Sequence, residues 1–269
     1  MNHIMIDGYQ GSESRLDDLM AVDSALTEII KTLNLKAVMP PFLLPYYYSK
    51  ETEDDGISAF VILQGGHITI HTFPRRRCLF VDLLYDGYYD ETKLTNILKK
   101  VFSYTQEQSL RTERRYYDST IEESKIFHPD RAGWDFGPHT IAKVENVDIS
   151  LEEMFDLLDN IPLEINMLPI SRPYVLKSNF HHPQYLSGIV LIAQSHIAFH
   201  YCIEEKTLFC DAFSCSFYRI ENFVRYLEKR FGEVMHMTLI RGSKHVDKIY
   251  NRENKIRDHG RWLDNTKRG

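Results

Sequence analysis

The sequence predicts an α+β protein made of a duplicated unit, with two mainly antiparallel sheets that pack as a four-layer α/β/β/α sandwich. One observation is an internal repeat that keeps a single, constant offset in residue number. The repeated positions include Ser58 with Ser187, His67 with His196, His71 with His200 and Asp82 with Asp211. A second observation is that strand-like and helix-like segments follow the same order in each half. Strands joined by hairpins, with helices between, favour sheets covered on one face, and two bare sheet faces can bury each other.

Each half is predicted to begin with a short strand and an amphipathic helix. The strands cover residues 3–7 and 139–147. In the first half, leucine and isoleucine recur at helical spacing over residues 16–33. In the second half, Ser150 and Glu153 have the spacing of a capping box, which predicts that a helix begins there.

The repeated segment follows a further strand near Ala37 in the first half and near Ile165 in the second. Its β-branched and aromatic composition predicts two strands joined by a turn at Pro74 or Glu204. The remaining predicted elements are two helices and a last strand, over residues 91–102, 220–231 and 235–240.

The repeat divides the chain into predicted segments. Residues 1–118 form the first, degenerate repeat, and residues 138–250 form the second repeat, which holds the candidate active half. A polar stretch with proline and glycine, residues 119–137, is the predicted linker. Residues 251–269 are a polar tail.

The composition predicts a cytoplasmic globular protein with neither a nucleic-acid nor a membrane partner. The 269 residues are 43% hydrophobic and 26% charged, with a net charge of −6, and show no long basic face. Residues 1–7 lack the features of a signal peptide, and the longest apolar stretch, residues 37–48, carries three prolines. The four cysteines form no C-x-x-C pair and are expected to be reduced.

The two copies differ where a nucleophile could lie. Gly66 and Asp86 of the first copy correspond to Ser195 and Cys215 of the second. The second copy reads Ser187-Gly-Ile-Val-Leu-Ile-Ala-Gln-Ser195-His-Ile-Ala-Phe-His200, followed by Glu204 and by Asp211-Ala-Phe-Ser-Cys215. No metal site is predicted, although His196, His200 and Cys202 share one face of a strand.

This segment resembles the pyruvoyl-dependent S-adenosylmethionine decarboxylases. Their bacterial short form has a similar run, Ser-Gly-Val-Val-…-Ser-Glu-Ser-His-Ile-Thr-Ile-His-Thr-…-Pro-Glu, that ends in Asp-x-Phe-Thr-Cys-Gly. The short members are half-length and pair as dimers, whereas the long members are fused duplications. The resemblance therefore implies a fused form, either a monomeric pseudo-dimer or a homodimer.

The resemblance implies that the chain makes its own cofactor. The Ser195 hydroxyl would attack the carbonyl of Gln194, and β-elimination would then leave a pyruvoyl group in place of Ser195. His200 and Ser187 would assist, because an imidazole moves protons near neutral pH and a hydroxyl can stabilise an oxyanion. Decarboxylation builds carbanion character at the substrate Cα, and the pyruvoyl group would be the electron sink that this requires.

The same resemblance implies roles in substrate turnover. The substrate amine would form a Schiff base with the pyruvoyl group, and Cys215 would return a proton to Cα after CO₂ is lost. Glu204 would accept hydrogen bonds from the ribose hydroxyls of a small-molecule substrate. His181 lies where the family has an aromatic residue that would stack on adenine.

Departures from the family leave alternatives open. Gln194 replaces the family's glutamate and Ile203 replaces its proline. We predict an S-adenosylmethionine decarboxylase of polyamine (spermidine) biosynthesis. The alternatives are a pyruvoyl-dependent decarboxylase of ornithine or arginine, and a non-processing regulatory or binding relative.

Overall fold

Two six-stranded antiparallel sheets organise the chain, one in each half of the predicted duplication. The computed structural model describes residues 1–49, 52–114, 135–178, 182–193, 195–215 and 218–242. The chain divides into two units, which comprise residues 1–127 with 178–185 and residues 128–177 with 186–269. Five helices lie within the described ranges. The predicted duplicated α+β class is confirmed.

The first unit contains strands β1–β6 and helices α1–α3. In chain order these are β1 (Asn2–Tyr9), α1 (Glu13–Leu16), α2 (Leu19–Thr32), β2 (Phe42–Tyr46), β3 (Gly56–Leu63), β4 (Gly66–Phe73), β5 (Cys78–Tyr85), α3 (Glu91–Phe102) and β6 (Gln106–Glu113). The sheet order is β2-β3-β4-β5-β1-β6. A two-residue turn joins β3 to β4, and Gly65 supplies the positive φ of 69° that this turn needs.

The second unit repeats this order, except that its described residues contain no counterpart of α1. Its elements are β7 (Asp135–Val144), α4 (Leu151–Glu164), β8 (Tyr174–Ser178), β9 (Tyr185–Ile192), β10 (Ser195–Cys202), β11 (Thr207–Phe213), α5 (Ile220–Phe231) and β12 (Met235–Gly242). The sheet order is β12-β7-β11-β10-β9-β8, which is that of the first unit read from the other edge.

Local signals explain where the helices begin. The Asp18 side chain accepts hydrogen bonds from the amides of Met20 and Ala21, which caps α2. Ser150 and Glu153 form the capping box at the start of α4 that their spacing predicted. The bounds of α3 and α5 are those predicted from the sequence.

Each unit has its own hydrophobic core, in which the helices pack on one face of the sheet. In the first unit the core joins Val22, Ile29 and Leu98 to alternate residues of the strands. In the second unit α4 lies so close to β9 that a Cβ at Gly188 would be 2.4 Å from Leu158 Cδ1. Burying each such leucine or isoleucine stabilises the fold by roughly 1.5–3 kcal/mol.

Three predicted features differ in the structure. Ala37 forms only an isolated bridge, with Leu63, and the strand lies later, in β2. Residues near Ile165 likewise precede β8 rather than form it. The repeated segment forms three strands instead of two in each unit, because its long apolar run is divided between β3 and β4 and between β9 and β10. Strand β6 was not predicted, because its sequence is mostly polar.

The predicted domain boundaries stay predictions. Most of the linker, residues 119–134, and the whole tail, residues 251–269, lie outside the described residues. The last linker positions, from Asp135, already belong to β7. Within the part of the chain that the structure describes, no helix combines the length and apolar character needed to cross a bilayer.

Candidate active site

The first residue of β10 and the segment that follows β11 meet at one end of the second sheet. Ser195 is fully buried, and its Oγ accepts a hydrogen bond of 2.8 Å from the amide of Cys215. The Cys215 thiol is 3.3 Å from the carbonyl oxygen of Ala193, two positions before Ser195. The structure therefore brings together the predicted nucleophile and the predicted proton donor, although two whole strands separate them in sequence.

The end of β11 explains how Cys215 reaches Ser195. Strand β11 stops at Phe213, and the amide of Ser214 donates to the carbonyl of Pro138 at 3.1 Å. The next amide, that of Cys215, turns to the Ser195 hydroxyl instead of continuing the ladder. Cys215 itself is 3% exposed, so its thiol is shielded from bulk solvent.

Ser187 and His200 form a separate buried pair. The Ser187 hydroxyl is 2.9 Å from His200 Nδ1. His200 lies five positions after Ser195 on the same strand, which corresponds to about 16 Å and to the opposite face of the sheet. Within this unit, direct proton transfer between the His200 ring and the Ser195 hydroxyl is excluded by that separation.

Glu204 is also far from Ser195 within the unit. It is an exposed residue of the turn after β10, beyond the strand end opposite Ser195. The strand between them is about 23 Å long. Gln194, the predicted residue before the cleaved bond, and His181, the predicted adenine contact, lie outside the described residues.

The first unit keeps the serine–histidine pair but has no counterpart of the predicted nucleophile, Ser195. Ser58 Oγ is 2.9 Å from His71 Nδ1, the same distance as in the second unit. At the position of Ser195, however, an added Cβ on Gly66 would lie 1.9 Å from the carbonyl oxygen of Leu84. Strand β5 continues there to Tyr85, whereas β11 ends at Phe213, which corresponds to Leu84 and is therefore one residue short of the end of β5. The first unit thus has no room for a hydroxyl at this point.

Burial keeps two tyrosines of the second unit neutral, Tyr218 and, at the end of β10 opposite Ser195, Tyr201. Desolvation raises the pKa of Tyr218, whose hydroxyl is 2.6 Å from Thr140 Oγ1 and 3.0 Å from the Ala212 carbonyl. Desolvation, with the nearby Asp148 carboxylate, raises the pKa of Tyr201 to about 12. Both phenols therefore act as hydrogen-bond donors at neutral pH.

Sequence reasoning missed a buried group beside the end of β11. His139, Phe213 and Arg241 pack together there, and the histidine and arginine have counterparts in the first unit, His3 and Arg114. The separation in residue number between His3 and His139, and that between Arg114 and Arg241, differ from the separation that relates the other repeated positions. Comparing the two halves at one constant separation therefore does not pair these residues. Allowing the offset to vary across the linker would have found them.

Comparison with known proteins gives consistent matches. The family model described as S-adenosylmethionine decarboxylase matches residues 2–115 and 139–241. The chain is 26% identical over 150 residues to the S-adenosylmethionine decarboxylase proenzyme of Fervidobacterium nodosum, an alignment that covers 55% of this chain and 95% of that protein.

Two solved structures also match. One is the adenosylmethionine decarboxylase from Aquifex aeolicus, at 20% identity and a TM-score of 0.35, over 42% of this chain and 96% of that one. The other is a protein of unknown function from Galdieria sulphuraria, at 10% identity and a TM-score of 0.21, over 90% of this chain and 98% of that one.

Proposed function

The chain belongs to the S-adenosylmethionine decarboxylase family, and from that premise we propose that it is a self-processing, pyruvoyl-dependent decarboxylase of S-adenosylmethionine that serves spermidine synthesis. The observation that carries the proposal is the contact between Ser195 and Cys215. These are the two residues that the family's chemistry requires and that only the second unit has. They are buried together at one strand end.

The proposed processing step begins at the Ser195 hydroxyl. Its oxygen attacks the carbonyl carbon of Gln194, the C–N bond breaks, and the chain is joined through an ester. β-Elimination then releases residues 1–194 with a terminal carboxylate and leaves a dehydroalanine at position 195. Addition of water and loss of ammonia convert that residue to a pyruvoyl group. The Cys215 amide supports the first step, because a donor to Oγ stabilises the negative charge that develops as the hydroxyl loses its proton.

The proposed role of Cys215 in turnover follows from its position. When formed, the pyruvoyl group supplies a ketone that accepts the substrate amine and withdraws electrons from Cα. The Cys215 thiol, 3.3 Å from the Ala193 carbonyl, lies at the same strand end as residue 195. A thiol is a competent proton donor there, and burial excludes water from competing for the carbanion.

The other predicted site residues are proposed on the family resemblance alone. Ser187 and His200 are proposed to assist processing, and Glu204 and His181 to bind the substrate. The separation of about 16 Å between His200 and Ser195 along β10 means that any such assistance does not use a direct contact within the unit. Their contribution is therefore to be measured separately from that of Cys215.

The decisive experiment is an intact-mass measurement on the purified protein after prolonged incubation. We expect two fragments, one comprising residues 1–194 and the other residues 195–269. The smaller fragment should resist Edman sequencing and react with a carbonyl reagent such as phenylhydrazine. Ser195→Ala, which keeps the Cβ but lacks the hydroxyl, should remain a single chain. A wild-type protein that stays a single chain through the incubation contradicts the proposal.

A second candidate is a non-processing binding or regulatory relative, which Gln194 favours because it replaces a charged glutamate at the cleaved bond. A third is a pyruvoyl-dependent decarboxylase of ornithine or arginine. Release of ¹⁴CO₂ from carboxyl-labelled S-adenosylmethionine, ornithine and arginine separates the substrates. If no cleavage occurs, titration calorimetry with the same three compounds tests the binding relative.

A further inference from the structure

A buried arginine contacts the end of β11, next to the candidate active site. Arg241, in β12, is 4% exposed. Its guanidinium carbon is 4.5 Å from the centre of the Phe213 ring, and its Nη1 is 3.3 Å from His139 Nδ1. His139 also packs against Phe213, with 5.5 Å between the ring centres. Arg241 and His139 thus hold the last residue of β11 through its ring.

The hydrogen-bonding capacity of these groups defines the form of His139. A guanidinium has only donors, so His139 Nδ1 must accept from Arg241. The proton of a neutral imidazole is then on Nε2, which donates to the buried carboxylate of Asp211. The arginine and aspartate charges therefore balance each other across a neutral ring, which satisfies buried charges that would otherwise be costly.

This network leads to the reacting residues in two steps along the backbone. Phe213 precedes Ser214, whose amide is bound by the carbonyl of Pro138, the neighbour of His139. The next amide, that of Cys215, donates to Ser195 Oγ. A shift of the Phe213 ring would also move the amide and thiol of Cys215, because only Ser214 lies between Phe213 and Cys215 in the chain.

We propose that Arg241 is a positioning residue: it clamps Phe213, directly and through His139, so that the Cys215 amide and thiol are held at Ser195. The proposal rests on the proposed function for its catalytic consequence. Its structural part, the placement of Cys215, is independent of that function. A cation stacked on a ring and a charge-assisted hydrogen bond are each geometrically specific, which suits them to this task.

The first unit offers a matched control. Arg114 Nη1 is 3.2 Å from His3 Nδ1, and His3 Nε2 is 4.0 Å from the Asp82 carboxylate. Arg114 is also fully buried. The repeat, however, has Leu84 in place of Phe213 and has neither the serine nor the cysteine. Removing Arg114 therefore perturbs a similar buried network that has no reacting group in its own unit.

The test compares Arg241→Met and Arg241→Lys with Arg114→Met and wild type. Each protein is treated with iodoacetamide under native conditions, and the alkylation of Cys215 is followed by peptide mass spectrometry with buried Cys210 as the internal reference. Self-cleavage is followed in parallel by intact mass. Arg241→Lys keeps the charge but not the planar, forked donor group, and it guards against failure of Arg241→Met to fold.

We expect Arg241→Met to raise the Cys215 alkylation rate relative to Cys210, because the thiol would no longer be held in its buried position. We also expect it to slow cleavage by up to roughly 100-fold, because misplacing a reacting group by about 1 Å can cost that much. Arg241→Lys should be intermediate, and Arg114→Met should match wild type in both measurements. Equal changes in Cys215 reactivity for Arg241→Met and Arg114→Met, or no change in any variant, would overturn the proposal. If wild type does not cleave, the proposed function fails, and the alkylation rates still decide whether Arg241 positions Cys215.

Discussion

Placing a serine in the first unit, Gly66→Ser, should destabilise the protein without creating a second cleavage site. The new Cβ would lie 1.9 Å from the Leu84 carbonyl oxygen and 2.6 Å from its carbon. Ordinary carbon–oxygen contacts are at least about 3.3 Å, so β4 and β5 would have to separate locally by more than about 1 Å. Both neighbours are backbone atoms of a buried ladder, which cannot rotate away.

The cost follows from the general behaviour of overpacked cores. Such insertions cost roughly 1–3 kcal/mol, and a backbone clash belongs at the upper end. For proteins of this size each kcal/mol shifts the unfolding midpoint by roughly 2–4 °C, so we expect Gly66→Ser to lower it by roughly 2–12 °C. Circular dichroism during thermal unfolding measures that shift, and intact mass tests for cleavage before residue 66.

The reverse change provides the control. Ser195→Gly adds no atom, so it cannot overpack, but it removes the acceptor of the Cys215 amide. An unsatisfied buried amide costs roughly 1–3 kcal/mol. Both variants should therefore be less stable, for opposite reasons, and Ser195→Gly alone should abolish cleavage of the second unit. A Gly66→Ser protein that melts with wild type, or that is cut before residue 66, would refute the reasoning from backbone approach.

Three further predictions concern the second unit. Cys215→Ala should still self-cleave, because the backbone amide that contacts Ser195 remains, but it should release CO₂ slowly; normal turnover would exclude the thiol as proton donor. Gln194→Glu should accelerate cleavage on denaturing gels by at most roughly 10²–10⁴-fold, whereas a rate equal to wild type would mean that a carboxylate has no role there. His200→Ala and His71→Ala should destabilise to similar extents, because each removes a buried serine partner; comparing their cleavage rates shows which pair, if either, assists processing.

Local features of the sequence predicted the helices well and the edge strands poorly. The capping box at Ser150 forms within one helical turn, and the apolar residues of α3 and α5 lie on one face of each helix. Both features are therefore visible in the sequence. Strands β2 and β6 are edge strands. The first contains Pro45 and the second is mostly polar, and their place depends on the partner strand rather than on their own pattern.

The short turns inside the repeat were hidden for a different reason. The apolar run of β3 passes directly into that of β4, with only Gln64 and Gly65 between them. Fully buried strands carry apolar residues on both faces, so alternation does not mark their ends. The glycine at position 65 was the available signal in the first unit, because a two-residue turn that contains glycine predicts a hairpin. In the structure this glycine has a positive φ.

Sequence spacing identified candidate site residues but not which of them meet. Ser195 and Cys215 come together because β10 and β11 are antiparallel neighbours whose ends are adjacent. His200 is nearer to Ser195 in sequence, yet it is separated from it by a stretch of extended chain. In a strand, a short sequence interval gives a long distance, whereas a long interval across a hairpin gives a short one.

The duplication distinguishes features that both units share from features that only the proposed active unit has. The Ser–His pair and the buried Arg–His–Asp group occur in both units, including the unit that has Gly66 in place of a nucleophile. Because the first unit keeps these two groups without a serine at position 66, we infer that both groups at least stabilise the unit in which they lie. The contact between Ser195 and Cys215 occurs in the second unit, where β11 ends before Ser214 and leaves space for a hydroxyl. The end of β11 is therefore the structural difference on which the chemistry proposed for the second unit rests, and Phe213, the last residue of β11, lies against the Arg241 guanidinium.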